Sequence, residues 1–103
     1  MSGVFGFIGK GNAFVEVRTG LENLSHRGHE SWGIVSGLRD GSFTEVRRLG
    51  SIFESPPLSR LNFGTVAIGH VRAPTAGKAS ERNSQPIIGS FKKEKIAVVH
   101  NGH

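Results

Sequence analysis

Trp32-Gly33-Ile34-Val35-Ser36-Gly37-Leu38-Arg39-Asp40-Gly41-Ser42-Phe43-Thr44-Glu45-Val46-Arg47-Arg48-Leu49 decides the architecture. Val, Ile, Trp, Phe and Thr fit a pleated surface, so Trp32 to Leu38 is expected to form a strand and Phe43 to Leu49 its returning partner. Asp40-Gly41 between them is tight-turn chemistry, which makes the pair antiparallel. Upstream, Gly3-Val4-Phe5-Gly6-Phe7-Ile8 reads as a short, largely buried strand, so the chain is expected to begin inside the core. From Ala13 to Leu24 the apolar Phe14, Val17, Leu21 and Leu24 share one helical face that Asn12 can cap, although Gly20 weakens the helix.

Beyond the polar turn Ser25 to Glu30 and the hairpin, Pro56-Pro57 breaks the chain. Thr65 to Val71 is expected as the next strand, ended by Arg72-Ala73-Pro74. A long Gly-, Ser- and Asn-containing loop follows. Ile87-Ile88 opens another strand, Lys92 to Lys95 reads as a charged turn, and Ile96-Ala97-Val98-Val99 as a buried strand delivering His100-Asn101-Gly102. A helix ahead of a run of antiparallel strands predicts a layered α+β fold rather than an alternating, parallel α/β one.

The 103 residues suffice for one small domain, and no repeat or linker divides them. No apolar run approaches the ~20 residues that span a membrane, and no secretory signal opens the chain, so a cytoplasmic protein is expected. The absence of cysteine excludes disulfides and thiolate chemistry. A net charge of +5 favours anionic partners in general. The basic residues are dispersed as Arg47-Arg48, Lys92-Lys93 and Lys95, without the aromatic interleaving of a single-strand-binding surface, which argues against nucleic acid.

Two motifs have plain structural readings. Gly9-Lys10-Gly11-Asn12-Ala13-Phe14 sits where a dinucleotide-binding glycine loop would, but it lacks the third glycine and the following βαβ unit, so it is expected to be a strand-to-helix turn. The histidines, including His26 and His29 three apart, are scattered without a cysteine or carboxylate pattern, and no metal site is expected from them.

The remaining pattern is more specific. Met1-Ser2-Gly3-Val4-Phe5-Gly6, Ser25-His26-Arg27-Gly28-His29-Glu30-Ser31-Trp32-Gly33-Ile34, Ile68-Gly69-His70-Val71-Arg72-Ala73-Pro74-Thr75-Ala76-Gly77, Asn83-Ser84-Gln85-Pro86 and Val99-His100-Asn101-Gly102 occur in fixed order across nearly the whole chain. Together they resemble the glutaminase domain of class II, N-terminal-nucleophile glutamine amidotransferases, most closely the amidophosphoribosyltransferase family. The resemblance implies that residues 1–103 are the N-terminal portion of a type-2 amidotransferase domain. Its fold would be an N-terminal-nucleophile sandwich of antiparallel sheets with flanking helices, here incomplete. It implies hydrolysis of L-glutamine to supply ammonia for purine nucleotide biosynthesis, without a cofactor. A phosphoribosyltransferase domain or subunit and further copies of the chain are the partners it suggests.

The same resemblance assigns roles. Ser2, once Met1 is removed, takes the place of the N-terminal nucleophile whose own α-amino group is the base. Asn101 and Gly102 match the oxyanion hole, through a side-chain and a backbone N–H. Arg72 matches the arginine that grips the α-carboxylate of glutamine, with Thr75 and His70 beside it in the same motif, and Arg27 one that organises the nucleophile's surroundings. Serine replaces the family's cysteine, and a hydroxyl is harder to deprotonate than a thiol of pKa ~8.5. The alternative is therefore a catalytically silent, glutamine-binding or regulatory fragment of the same fold.

Overall fold

The computed structural model describes residues 2–54, 64–73 and 84–100. The Pro56-Pro57 break and the loop that begins at Pro74 lie outside them. Strand β1 (Gly3–Ile8) leads into helix α1 (Ala13–Asn23), followed by β2 (Ser31–Gly37), β3 (Phe43–Leu49), β4 (Val66–Arg72), β5 (Ile87–Phe91) and β6 (Glu94–Val98). The first four strands form one antiparallel sheet in the order β1-β4-β2-β3, and β5 and β6 pair as a separate antiparallel hairpin. This is the expected α+β architecture of two antiparallel sheets; among the described residues one α-helix accompanies them.

The β2–β3 hairpin follows from its turn. Leu38 N–H donates to the Ser42 carbonyl at 2.9 Å, Gly41 N–H to the Leu38 carbonyl at 3.0 Å, and Gly41 takes φ +88°, a region glycine enters without steric cost. The Asp40 carboxylate accepts from the Ser42 hydroxyl at 2.5 Å and from its backbone N–H at 2.9 Å, and these bonds hold its pKa below the usual carboxylate value. The Gly9–Asn12 stretch is the expected strand-to-helix turn. Gly9 N–H and Ala13 N–H bond the carbonyls of Thr65 and Gly64, and the Asn12 side chain accepts from Val15 N–H as the helix cap.

Strand parity decides where the core sits. Ile34 pairs with Gly69 and with Val46, and Trp32 with Val71, so these side chains share the sheet face on which α1 lies. Phe14, Val17 and Leu21 of α1 pack there with Trp32, Ile34, Val46, Ala67, Val71 and Ile52. Arg18 closes the end of this core: its guanidinium stands 5.5 Å over the Trp32 ring and donates to the Ile52 carbonyl at 3.1 Å. Gly69 permits the close helix–sheet contact, because a Cβ there would lie 2.6 Å from Val17 and 2.8 Å from Leu21, both fully buried. Gly69→Ala is accordingly expected to cost about 1–3 kcal/mol, read as a lowered urea midpoint with an unchanged slope. Gly20, a weak point for helix propensity alone, lies against the Phe5 ring, where a Cβ would fall 2.5 Å from three ring atoms.

Three expectations need correction. β1 is not largely buried: it is an edge strand, and of its apolar residues Val4 and Phe5 are exposed and Ile8 is 81% exposed. The final strand is not buried either, since Ile96 is 42% and Val98 54% exposed; among the described residues it pairs with β5 alone, and it approaches the main sheet at Ala97, which borders a cavity of about 210 Å³ with Val35, Phe43, Val66 and Ile68. The charged turn is also shorter than expected, because Lys92 and Lys93 take positive φ while Glu94 and Lys95 already belong to β6. No described helix is long and apolar enough to cross a membrane.

Candidate functional site

The site is built at one end of β4, on the sheet face opposite α1. Val71 pairs with Gly3 and Arg72 with Ser31, so the residue preceding Gly3, Ser2, reaches the level of Arg72. Ser2 is 4% exposed. Its backbone carbonyl accepts from Arg27 Nε at 2.9 Å. The turn that carries Arg27 is pressed onto Arg72 as well: Glu30 N–H donates to the Arg72 carbonyl at 3.1 Å, and a Cβ on Gly28 would lie 2.5 Å from the Arg72 carbonyl carbon. Thus the Ser25–Glu30 turn ties the start of the chain to Arg72 through one guanidinium, one backbone hydrogen bond and one close backbone contact.

His70, two residues earlier on the same face, is fully buried. Its Nε2 lies 3.1 Å from the His100 carbonyl, and since a carbonyl only accepts, the proton sits on Nε2. Burial of the ring pushes its pKa down, aided by the Arg72 charge and only partly opposed by the His100 carbonyl. Below the ordinary histidine value of 6.5 the unfolded chain takes up a proton that the folded chain resists, so the contribution to stability is complete above that pH and is lost as pH falls below it. Urea midpoints are expected to drop between pH 7.5 and pH 5, and to drop less in His70→Gln, which can still donate to the carbonyl but does not titrate.

A strap of chain holds His100 from its other side. The His100 N–H donates to Gln85 Oε1 at 2.6 Å. Arg47 of β3 donates to the carbonyls of Ser84 at 3.1 Å and Pro86 at 3.0 Å through Nε, and to Pro86 again at 2.6 Å through Nη2. Gly33 of β2 leaves the room, because a Cβ there would stand 2.1 Å from the Gln85 carbonyl oxygen. Neither Arg47 nor Gln85 was expected in the site. The available signal was parity: Arg47 pairs with Gly33, which puts a cation on the face of β3 that the Ser84–Pro86 segment covers.

No family model matches the chain. It is 41% identical over 104 residues to the chloroplastic amidophosphoribosyltransferase of Glycine max, covering 98% of this chain and 18% of that protein. It is 36% identical to the glutamine–fructose-6-phosphate aminotransferase of a Synechocystis strain, over 99% of this chain and 16% of that one. Among solved structures, the glutamine phosphoribosylpyrophosphate amidotransferase of B. subtilis, complexed with ADP and GMP, superposes with a TM-score of 0.76 at 33% identity, over 94% of this chain and 21% of that chain. The chain is a relative of the amidophosphoribosyltransferases. It spans about a fifth of the length of most of the amidophosphoribosyltransferases it matches and 53% of that of Lacticaseibacillus casei, and its fold is the N-terminal-nucleophile fold that the motifs imply.

Within this amidophosphoribosyltransferase-type fold, Ser2, Arg27, His70 and Arg72 gather at one end of the sheet although up to 70 positions separate them in the chain. Asn101, Gly102 and Thr75 lie outside the described residues. Of their neighbours, His100 immediately precedes Asn101 and is held on His70.

Proposed function

We propose that residues 1–103 form the front part of a glutamine amidotransferase domain that binds L-glutamine and hydrolyses its side-chain amide, supplying ammonia for purine nucleotide biosynthesis. The observation that carries this reading is the burial of Ser2 at the level of Arg72, with its carbonyl held by Arg27. Loss of Met1 frees the Ser2 amine, which takes the proton of the Ser2 hydroxyl as the oxygen attacks the amide carbon. The Asn101 side-chain N–H and the Gly102 backbone N–H stabilise the resulting oxyanion. Collapse returns the proton to the departing nitrogen and releases ammonia, leaving a glutamyl ester on Ser2. Water then cleaves the ester to glutamate and restores the serine. Arg72, with Thr75, holds the α-carboxylate through paired charge-assisted bonds, and His70 anchors the segment that carries the oxyanion donors. A phosphoribosyltransferase domain or subunit is the acceptor of the ammonia.

Serine in the nucleophile's place favours a second reading, a silent chain that binds glutamine without turning it over. Both readings require a glutamine pocket built on Arg72. Calorimetric titration of the Met1-processed chain with L-glutamine tests it: Arg72→Ala is expected to weaken binding by about 10- to 100-fold, the loss of a charged hydrogen bond worth about 1.5–3 kcal/mol. Arg72→Lys is expected to restore little, because an ammonium cannot reproduce the paired fork. An absence of both glutamine heat and ammonia release would sink the proposal.

A further inference from the structure

We propose that the β5–β6 hairpin is an arm held to the main sheet by a two-point latch at its root, and that protonation of His70 opens one of the two points so that the arm lifts away. The latch lies in one row across the sheet face opposite α1. His70 of β4 pairs with Gly33 of β2, and Gly33 with Arg47 of β3. The root of the hairpin crosses this row, its Gln85 carbonyl lying against Gly33. Arg47 holds the entering stem, donating to the Ser84 carbonyl at 3.1 Å and to the Pro86 carbonyl at 2.6 Å. His70 holds the leaving stem, through Nε2 at 3.1 Å from the His100 carbonyl. Gln85 Oε1 ties the two stems together by accepting from the His100 N–H at 2.6 Å.

Beyond its root the arm is loosely attached. Among the described residues β5 and β6 pair only with each other, and Ile87, Phe91, Ile96 and Val98 are exposed. Ala97 borders a cavity of about 210 Å³ together with Val35, Phe43 and Ile68 of the sheet, so apolar contact there is incomplete. Segments with few buried apolar contacts open at less than the cost of global unfolding.

His70 makes one of the two points sensitive to acid. Its ring is fully buried, its Nε2 proton is used on His100, and its Nδ1 has no hydrogen-bond partner among the described residues. A second proton must go to Nδ1, which creates a buried cation with an unsatisfied donor. The surrounding charges do not offset this. β1 and β2 carry no charged residue, and Arg72 and His100 both disfavour the cation. β3 adds Arg47 and Glu45, whose carboxylate is already bound to Arg47 Nη1 at 2.6 Å. The Ser25–Glu30 turn beside Arg72 adds Arg27 and Glu30, one of each sign. Burial first and the neighbouring cations second thus push the ring's pKa down while the arm is closed; lifting the arm gives Nδ1 water and returns the ring toward 6.5. Acid therefore favours the open arm. From pH 7.5 to pH 5 the open-to-closed ratio rises by up to about 30-fold, the ceiling set by an open-state value of 6.5.

Thiol labelling reads this opening, because the chain has no cysteine of its own. Val35→Cys places a thiol under the arm, beside Ala97, and Val17→Cys places one between α1 and the sheet, where only global unfolding exposes it. Each rate is divided by that of the exposed Lys10→Cys chain at the same pH, which removes the ionisation of the thiol itself. The corrected rate at Val35→Cys is expected to exceed that at Val17→Cys at both pH values and to rise by about 10- to 30-fold between pH 7.5 and pH 5. His70→Gln, which keeps a donor but does not titrate, should abolish the rise. His100→Asn, which keeps the carbonyl and removes the other ring, should retain it. Arg47→Lys loosens the second point and should raise the rate at both pH values. Equal rates at positions 35 and 17, a pH-independent rate at Val35→Cys, a rise that survives in His70→Gln, or one that disappears in His100→Asn would overturn the proposal. If His70→Gln does not fold, the comparison of positions 35 and 17 together with His100→Asn decides it.

Discussion

Ser2→Cys is expected to raise glutamine hydrolysis by about 10³-fold, since a thiol of pKa ~8.5 is a few per cent ionised at neutral pH and is intrinsically nucleophilic, whereas a hydroxyl is neither. The surroundings of the residue predict that the exchange is tolerated. Arg27 Nε takes its backbone carbonyl, and its neighbour Gly3 keeps β1 in register with Val71, so both anchors of this backbone are independent of the side chain at position 2. The comparison is meaningful only after mass spectrometry shows that Met1 is gone from both chains, because an acylated nitrogen offers no basic lone pair. Ammonia release measured against glutamine concentration then separates two outcomes. A large gain in kcat at similar KM means a complete pocket with a weak nucleophile. A processed cysteine chain that binds glutamine without hydrolysing it means that the donors around the amide are not assembled, which is the silent reading.

Much of this arrangement could be read before any coordinates, and the reasons are local. The β2–β3 register follows from a turn whose chemistry is written in Asp40, Gly41 and Ser42, and α1 from apolar residues at helical spacing behind an Asn cap. Exposure was less legible, because burial depends on sheet order. β1 and β6 are as rich in apolar residues as β2, yet among the described residues β2 lies between β3 and β4 while β1 occupies an edge and β6 has one partner. The same distinction divides the site. Ser2, Arg27, His70 and Arg72 belong to motifs whose order carries information, and their meeting follows from the β1–β4 and β2–β4 ladders. Arg47 lies in none of these motifs, and Gln85, although it belongs to the Asn83-Ser84-Gln85-Pro86 motif, had no role to be read from it, because the interactions of both span 15 to 39 positions and end on backbone groups, which have no signature in the side-chain sequence.

Gly28→Ala is expected to be strongly damaging, because the added carbon would meet the backbone of a strand paired on both sides rather than a side chain that could move aside. It would lie 2.5 Å from the Arg72 carbonyl carbon, 2.6 Å from its oxygen and 2.8 Å from its nitrogen. All three atoms belong to a strand held on both sides, by Gly3–Ile8 on one and Ser31–Gly37 on the other. The strand cannot yield without breaking a ladder, so the turn must. Moving the turn pulls Glu30 N–H off the Arg72 carbonyl and Arg27 Nε off the Ser2 carbonyl. Overpacking of this kind costs about 1–3 kcal/mol even where side chains can adjust, and here the upper end or more is expected, a large share of the stability of a small domain. Thermal melting should therefore fall by about 10 °C or more. Glutamine affinity should fall further than stability alone explains, because Arg27 and Arg72 are both displaced; titration below the melting transition checks this. A Gly28→Ala chain with native affinity would mean that the Ser25–Glu30 turn does not organise the pocket, and the role assigned to Arg27 would fall with it.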